Sequence, residues 1–445
     1  MRALLAIGIP MALAQFVHYS VYIADTVMLG RVGEEELAAA AIGTIVYFLL
    51  WMLGAGPASA VTPLVSQALG RDKDDTRDPR RTVRMAIWIC FLMLPPLVII
   101  LFFVEPLLVL LDQDPVVAAR ARTYIIVLSP GLPFALAVAT LRNFLATIGK
   151  TLVPFALVFL GTLINIILNY ILIFGKFGAP ELGLIGAGIA SSFAYAIGFL
   201  FFVIYISVDK KAKTFDLFKR FFVPDWERFR DVLKLGWPIS VTITFEGMLF
   251  NAAGLIVGAI GVSELAGYQV ALSFASAAFM LPFGMAMAGA VRIGLAQGAE
   301  NAPAKRRAST TTIVACVILI AVFAFPAWLM PDLIAKLYIN EEKTATRDVF
   351  NWVVLFLPLA AGFMFFDAVQ VAANQLLRGL SDVKWPMFIT GVSYWMIGFP
   401  VAYILALHTD VGAPGVWYGL MAGLIAAFIG LGTRLWLQLR QPTLA

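Results

Sequence analysis

The chain has 445 residues, of which 61% are hydrophobic and only 13% charged, and its mean hydropathy is +0.90. Soluble proteins run at roughly 45–50% apolar and about 25% charged. This composition excludes a soluble enzyme with one anchor, a disordered chain, a collagen-like repeat and a disulfide framework, and it reads as a polytopic membrane protein.

Apolar runs of about 20 residues bounded by charge or turn residues are the candidate spanning helices. In chain order they fall near 4–29, 37–69, 85–104, 122–147, 152–175, 183–208, 234–261, 265–298, 309–330, 350–377, 384–407 and 414–438. Twelve spans consume nearly the whole chain. Several exceed the bilayer's needs, which predicts tilt or extension into water. Arg2, an apolar stretch and Ala12-Leu13-Ala14 imitate a secretory signal with its cleavage site. The run continues to Leu29, however, and its internal twin at 232–261 cannot be a signal peptide, so the first span stays.

The net charge of +5 is carried by short loops between the spans, not by a patch suited to nucleic acid. With the N-terminus inside, 24 of the 32 Lys and Arg fall on the inner side, Arg142 and Arg378 among them. That asymmetry predicts cytoplasmic termini, and the expected location is the cell inner (cytoplasmic) membrane. Cys90 and Cys316 lie in separate apolar runs with no CxxC and no nearby His, so neither metal nor redox chemistry is expected of them.

The longest basic inner segment, 209–231, separates two halves that resemble each other. Ile7-Gly8-Ile9-Pro10 has its counterpart in Leu235-Gly236-Trp237-Pro238, and Gly30, Gly33, Glu36, Leu37 and Ala38 match Gly258, Gly261, Glu264, Leu265 and Ala266 at the same offset of 228. Further on, Gln67 answers Gln297, Pro154 answers Pro386, and Gly183 and Gly186 answer Gly412 and Gly415. A drift from 228 to only 232 across six spans marks a repeat. Six is even, so both copies insert with the same polarity, as in transporters built from parallel repeats. The expected fold is all-α, with a six-helix bundle at 1–208, a cytoplasmic linker at 209–231 and a second six-helix bundle at 232–445.

Polar residues inside these spans need a reason, since a charge at mid-bilayer costs at least about 2.5–3.5 kcal/mol. Asp25 shares a helix face with Tyr22 and His18, with Gln15 close by. Asn165 and Asn169, four apart, form a second polar face and read equally well as interhelical glue or as part of a site. His18 alone reads more readily as a satisfied packing histidine than as a proton relay. Glu246 lies about 16 Å into span seven at 1.5 Å per residue. Asp367 is followed by Gln370, Asn374 and Gln375 on or near one face, a stripe that points at a polar cavity. The bland reading of Glu246 and Asp367 is a buried pair with a basic partner. No Lys or Arg is expected at their depth, which favours function.

These residues resemble the multidrug and toxic compound extrusion (MATE) family, in its NorM-type branch. The resemblance rests on Asp25-Thr26-Val27-Met28-Leu29-Gly30, on Pro238 followed by Phe245-Glu246, and on Gln269-Val270-Ala271-Leu272. It continues through Met280-Leu281-Pro282, Arg292-Ile293-Gly294, and Asp367-Ala368-Val369-Gln370 with Arg378-Gly379, and covers essentially the whole chain. It implies two six-helix bundles around a V-shaped cleft. The implied activity is export of organic cations and amphiphilic drugs in exchange for Na+ or H+, with no cofactor beyond the coupling ion. It further implies that Glu246, Asp367 and Asp25 are the cation-coupling residues, of which Glu246 and Asp367 would also ligate Na+. Asp25 would be the N-terminal-lobe aspartate, with Asn165, Asn169 and Ser191 beside it. Gln269, Gln370, Asn374, His18 and Tyr22 are the further cavity candidates. Asn169 stands where relatives outside the NorM branch carry an acid, and Phe363 stands where NorM-type members can offer a tyrosine hydroxyl.

The expectation is antiport by competition in a monomer that binds small cationic or amphiphilic molecules and the bilayer, but no nucleic acid. A lipid-linked oligosaccharide or lipid flippase is the alternative. It would need arginines in its cavity for pyrophosphate, whereas the embedded ionisable residues here read as chiefly acidic. An enzyme would need a nucleophile–base or metal constellation, and none is visible with His18, His408 and two separated cysteines.

Overall fold

The computed structural model describes residues 2–110, 113–339 and 347–440; the side chains of residues 2, 3, 18, 19, 21–24, 26, 34 and 97 lie outside that description. The described residues form helices and no strand. In order these are α1 (Arg2–Leu29), α2 (Glu34–Arg71), α3 (Arg77–Leu92), α4 (Leu94–Leu110), α5 (Pro115–Leu128), α6 (Gly131–Thr147), α7 (Leu152–Phe174) and α8 (Gly183–Val208). They continue with α9 (Trp226–Ile260), α10 (Val262–Gly298), α11 (Ala302–Leu329), α12 (Pro331–Tyr338), α13 (Arg347–Gly379), α14 (Lys384–Gly391), α15 (Phe399–Leu407) and α16 (Pro414–Arg440). A π-helical segment, Val392–Gly398, joins α14 to α15 into one span.

Among the described residues nine helices are long and apolar enough to cross a membrane, and two bent pairs raise that to eleven. With the 28-residue α1 there are twelve spans, in the order the apolar runs predict. The third and fourth spans are broken helices. Pro95 and Pro96 follow the α3–α4 break, and Ser129-Pro130 sits at the α5–α6 break, where the axis turns by 49°. Proline lacks the N–H that the helical ladder needs and crowds the preceding turn. With 38, 35 and 37 residues, α2, α9 and α10 outrun a hydrocarbon layer of about 30 Å.

Two compact units emerge, Ala14–Ser240 and Met1–Leu13 with Val241–Ala445. The boundary therefore runs through α1 and α9 and not through 209–231: each half lends the start of its first helix to the other unit. Glycines related by the sequence repeat carry both exchanges. In the first unit a methyl group on Gly56 of α2 would overlap the Gly236 carbonyl of α9. The Gly56 N–H donates to the Ser240 hydroxyl (3.2 Å), which in turn donates to the Leu53 carbonyl (2.6 Å). In the second unit a methyl group on Gly284 of α10 would overlap the Ala12 backbone of α1, and one on Gly8 would overlap Met285. Gly8 and Gly236, like Gly56 and Gly284, are 228 residues apart. Small residues let two helix backbones approach where lipid supplies no hydrophobic drive.

Segment 209–231 is strapped to the first unit. Arg81 of α3 donates to both carboxylate oxygens of Asp225, and Arg228 pairs with Asp78 at 2.8 Å. Arg84 and Trp88 donate to the Arg220 and Phe221 carbonyls, each at 3.0 Å. Lys150 pairs with Asp209 at 2.8 Å, and the Phe215 ring meets Phe144 edge-on at 5.2 Å. The Arg81 guanidinium holds the Asp225 carboxyl below the usual carboxylate range, and the Lys150 ammonium does the same, more strongly, for Asp209.

Candidate functional site

In the unit containing 241–445, α9 brings Glu246 to the polar stripe of α13. The Gln370 amide nitrogen donates to Glu246 Oε1 at 3.3 Å and to Asp367 Oδ1 at 3.2 Å, so one side chain bridges both acids. Asp367 is 5% exposed, Gln370 0% and Asn374 3%. The stripe is buried because α13 packs against α10, α11 and α16 at once, so its i, i+3, i+7 polar positions face protein. Gln370 Oε1 and Asn374 Oδ1 are buried oxygens with no hydrogen-bond partner among the described residues.

The basic surroundings of this pair correct the sequence expectation. Arg378, expected near the inner end and away from the acids, is buried in the last turn of α13 and acts electrostatically on Glu246. It forms no ion pair within 4 Å with either acid among the described residues. A second contributor is Tyr394, 1% exposed, whose hydroxyl has no partner and which lies in electrostatic reach of Glu246, Asp367 and Arg378. It sits in the π-helical segment, a geometry that recurs at functional sites because the wider turn re-aims side chains. At Gly391, just before that segment, a methyl group would press on the Phe245 ring next to Glu246. Phe363 is buried against Phe250 and Trp417 at 5.7 and 5.6 Å, an apolar neighbour with no hydroxyl to offer. Gln269 is exposed on α10, close to Gly254, and shares no hydrogen bond with the acids.

In the unit Ala14–Ser240 the amides line up behind Asp25. Asn169 donates to Asp25 and, at 3.1 Å, to Asn165 Oδ1; Asn165 donates to the Ser191 hydroxyl at 3.0 Å. Three helices, α1, α7 and α8, are tied by this chain, and Asn165, Asn169 and Ser191 are all buried. The side chains of His18 and Tyr22 lie outside the described residues. Asn165 also lines a cavity with Gln15, Trp51, Tyr195, Phe202 and Arg142. The sequence pattern puts Arg142 in an inner segment. It lies within α6, which runs on to Thr147, so the embedded ionisable residues include a cation beside the acids. Arg142, Arg378 and Tyr394 escape a reading of the sequence. Two stand near span ends, where an Arg reads as a loop residue, and a lone Tyr in an apolar run carries no signal.

Among the described residues no cluster of three or more His, Cys, Asp or Glu could hold a metal ion. The groups that meet at Gln370 are instead two carboxyls, with the unpartnered amide oxygens of Gln370 and Asn374 on the same helix.

The MatE family profile matches residues 10–171 and 238–404, one stretch in each half. The chain belongs to the MatE family. It is 37% identical over 444 residues to the probable multidrug resistance protein NorM of Rhizobium meliloti, covering 100% of this chain and 95% of that one. It is 33% identical to the multidrug resistance protein MdtK of Yersinia pseudotuberculosis, covering 99% and 96%. Among solved structures it is similar to the eukaryotic MATE transporter AtDTX14, with a TM-score of 0.86 at 23% identity over 98% of this chain and 95% of that one. An outward-facing multidrug resistance MATE transporter gives 0.87 at 19% identity, covering 98% and 95%. The MATE fold, a multi-pass membrane transporter of twelve helices, is thus that of this chain.

Proposed function

We propose that this MATE protein is a secondary active exporter that moves organic cations and amphiphilic drugs out of the cell in exchange for Na+ or H+. The observation that carries this reading is the pair of buried Asp367 and half-buried Glu246, bridged by Gln370 and, among the described residues, without an ion pair within 4 Å. A carboxylate in apolar surroundings is costly unless something neutralises it. A proton, a Na+ ion and a cationic drug can each do so, and whichever binds displaces the others. The donor set suits a hard cation, which takes oxygen ligands: the two carboxyls with Gln370 Oε1 and Asn374 Oδ1. Inward cation entry supplies about 2.3 kcal/mol per charge per 100 mV, which can drive alternating access between the two repeats. Asp25, with Asn165, Asn169 and Ser191, is the corresponding polar centre of the other unit. The protein is read as a monomer of the inner membrane with cytoplasmic termini, and the printed names of the NorM and MdtK relatives support the drug-export reading.

The test is ethidium efflux from everted vesicles under an imposed Na+ or pH gradient. Glu246→Gln and Asp367→Asn should each abolish efflux while the protein stays folded, and the gradient that drives the wild type names the coupling ion. Full efflux in both variants overturns the reading. A flippase for lipid-linked oligosaccharides gains one observation, the cavity-lining Arg142. Gradient-independent translocation of a fluorescent lipid pyrophosphate, with no ethidium efflux, would favour it.

A further inference from the structure

We infer that the cavity inside Ala14–Ser240 binds the carboxylate of a flat aromatic amphiphile at Arg142. This goes beyond the exporter reading, because it concerns a basic site in the unit that lacks the acid pair and is tested by binding alone. Arg142 is a guanidinium inside a spanning helix, where an ionisable group is a candidate site by default. Its partners are too few. One N–H donates to Gln15 Oε1 at 2.7 Å, and Nε is buried with no partner. Among the described residues no Asp or Glu lines the cavity, and none pairs with Arg142 within 4 Å. Arg81, Arg84, Arg120, Arg122, Arg228 and Arg434 each have a carboxylate within 4 Å. Arg378 has Glu246 in range. Among the described residues Arg142 is thus a half-buried cation without an anion beside it, lining open space.

The rest of the lining describes what brings the anion. Trp51, Tyr195 and Phe202 supply aromatic walls, and Gln15 and Asn165 supply polar edges. Aromatic walls favour a flat apolar body. A guanidinium fork matches the two oxygens of a carboxylate, which a point charge does not. A cationic ligand would meet Arg142 with no acid to offset it. The cavity therefore selects for the opposite charge to the site at Glu246 and Asp367.

The experiment measures binding of 2-naphthoate, 2-naphthamide and 2-naphthylmethylammonium to the purified full-length protein by equilibrium dialysis, corrected for uptake by protein-free micelles. The wild type should bind the carboxylate about ten- to a hundredfold more tightly than the amide, the range for a charge-assisted hydrogen bond, and the ammonium least. Arg142→Gln should erase the preference, Arg142→Lys should keep part of it, and Glu246→Gln should leave it intact. Thermal unfolding checks that each variant is folded, and the carboxylate–amide preference of the wild type tests the inference even where a variant fails to fold. Equal binding of the three compounds by the wild type, or an undiminished preference in folded Arg142→Gln, overturns it. So does saturation by dioctanoyl phosphatidate with no binding of 2-naphthoate, which would assign the cavity to a lipid headgroup.

Discussion

The two halves of the chain use the same helix for opposite chemistry. Pro154 and Pro386 stand 232 residues apart, and on that register Asp367, Gln370 and Asn374 of α13 correspond to Ala135, Val138 and Arg142 of α6. Ala135, Val138 and Arg142 line the cavity of the first unit, while Asp367 and Gln370 make the acid site of the second. On the offset of 228 Glu246 corresponds to His18, and on that of 232 Asn165 and Asn169 correspond to Ile397 and Val401. Each half's polar network is therefore apolar or of another charge in its copy, whereas the glycines at the helix crossings are retained in both. Close approach of backbones is a demand of the duplicated scaffold. The charge placed on one turn of one helix is not, provided a partner, a proton or a ligand neutralises it.

The sharpest way to break this comparison is to write the residue of one half into the other. Asp367→Ala installs the Ala135 counterpart and removes one acceptor of the Gln370 bridge. Efflux of ethidium should fall by about ten- to a hundredfold or more, the worth of a hydrogen bond to a charged group, with the thermal midpoint little changed. Substantial residual efflux in vesicles would show that Glu246 alone sustains the exchange and that the halves differ less than their residues do.

Packing changes should instead hurt both halves alike. Gly56→Ala and Gly284→Ala each put a methyl group into a backbone crossing, at Gly236 in one unit and Ala12 in the other. Each should cost about 1–3 kcal/mol or more, as overpacking does where backbone must move. Thermal unfolding in detergent reads both, and matched losses are expected. A large loss at only one would mean that the exchanged helix ends are structurally unequal.

The legibility of the molecule in its sequence follows the same division. Twelve apolar runs, their order and the repeat can be read directly, because lipid demands length and the duplication left its glycines in register. The broken third and fourth spans are less legible: Pro95-Pro96 and Pro130 mark possible kinks, but no pattern gives their angle. The stretch richest in charge, 209–231, is where the sequence puts the boundary between units. It runs through α1 and α9, since the contacts at Gly8 and Gly236 are long-range and periodicity does not report them. Of the site, Glu246, Asp367, Gln370 and Asn374 are legible as polar residues at helical spacing in oil-like surroundings, and the structure joins the first three by hydrogen bonds. Tyr394 is not, because it enters through a π-helical turn that leaves no mark on hydropathy.

Tyr394 offers a finer test of how the acid site is built. Its hydroxyl is buried without a partner, so Tyr394→Phe removes an unsatisfied group and should leave the thermal midpoint equal or slightly higher. The same side chain lies in electrostatic range of both carboxyls. The cation concentration for half-maximal efflux should rise about three- to tenfold, corresponding to roughly 1 kcal/mol. An unchanged cation dependence would remove Tyr394 from the site and leave the π-helical segment as a packing feature.

The smallest expected effect concerns the strap, which has no acid–base counterpart in the other half. Arg81 and Asp225 are 22% and 14% exposed at their side chains, so water screens their pair only in part. Asp225→Asn should cost about 1 kcal/mol or less, near the upper end for pairs open to solvent. The pH dependence carries the sign. The folded chain holds the Asp225 carboxyl below its ordinary value of about 3.9. The strap's contribution is therefore complete above that ordinary value and is lost as the pH falls through the lower folded one. The midpoints of wild type and Asp225→Asn should differ at pH 7 and converge as the pH falls below about 4. A difference that persists undiminished at about pH 3, below that ordinary value, would mean that the introduced amide perturbs the packing of 209–231 on α3, and that the ion pair itself holds little.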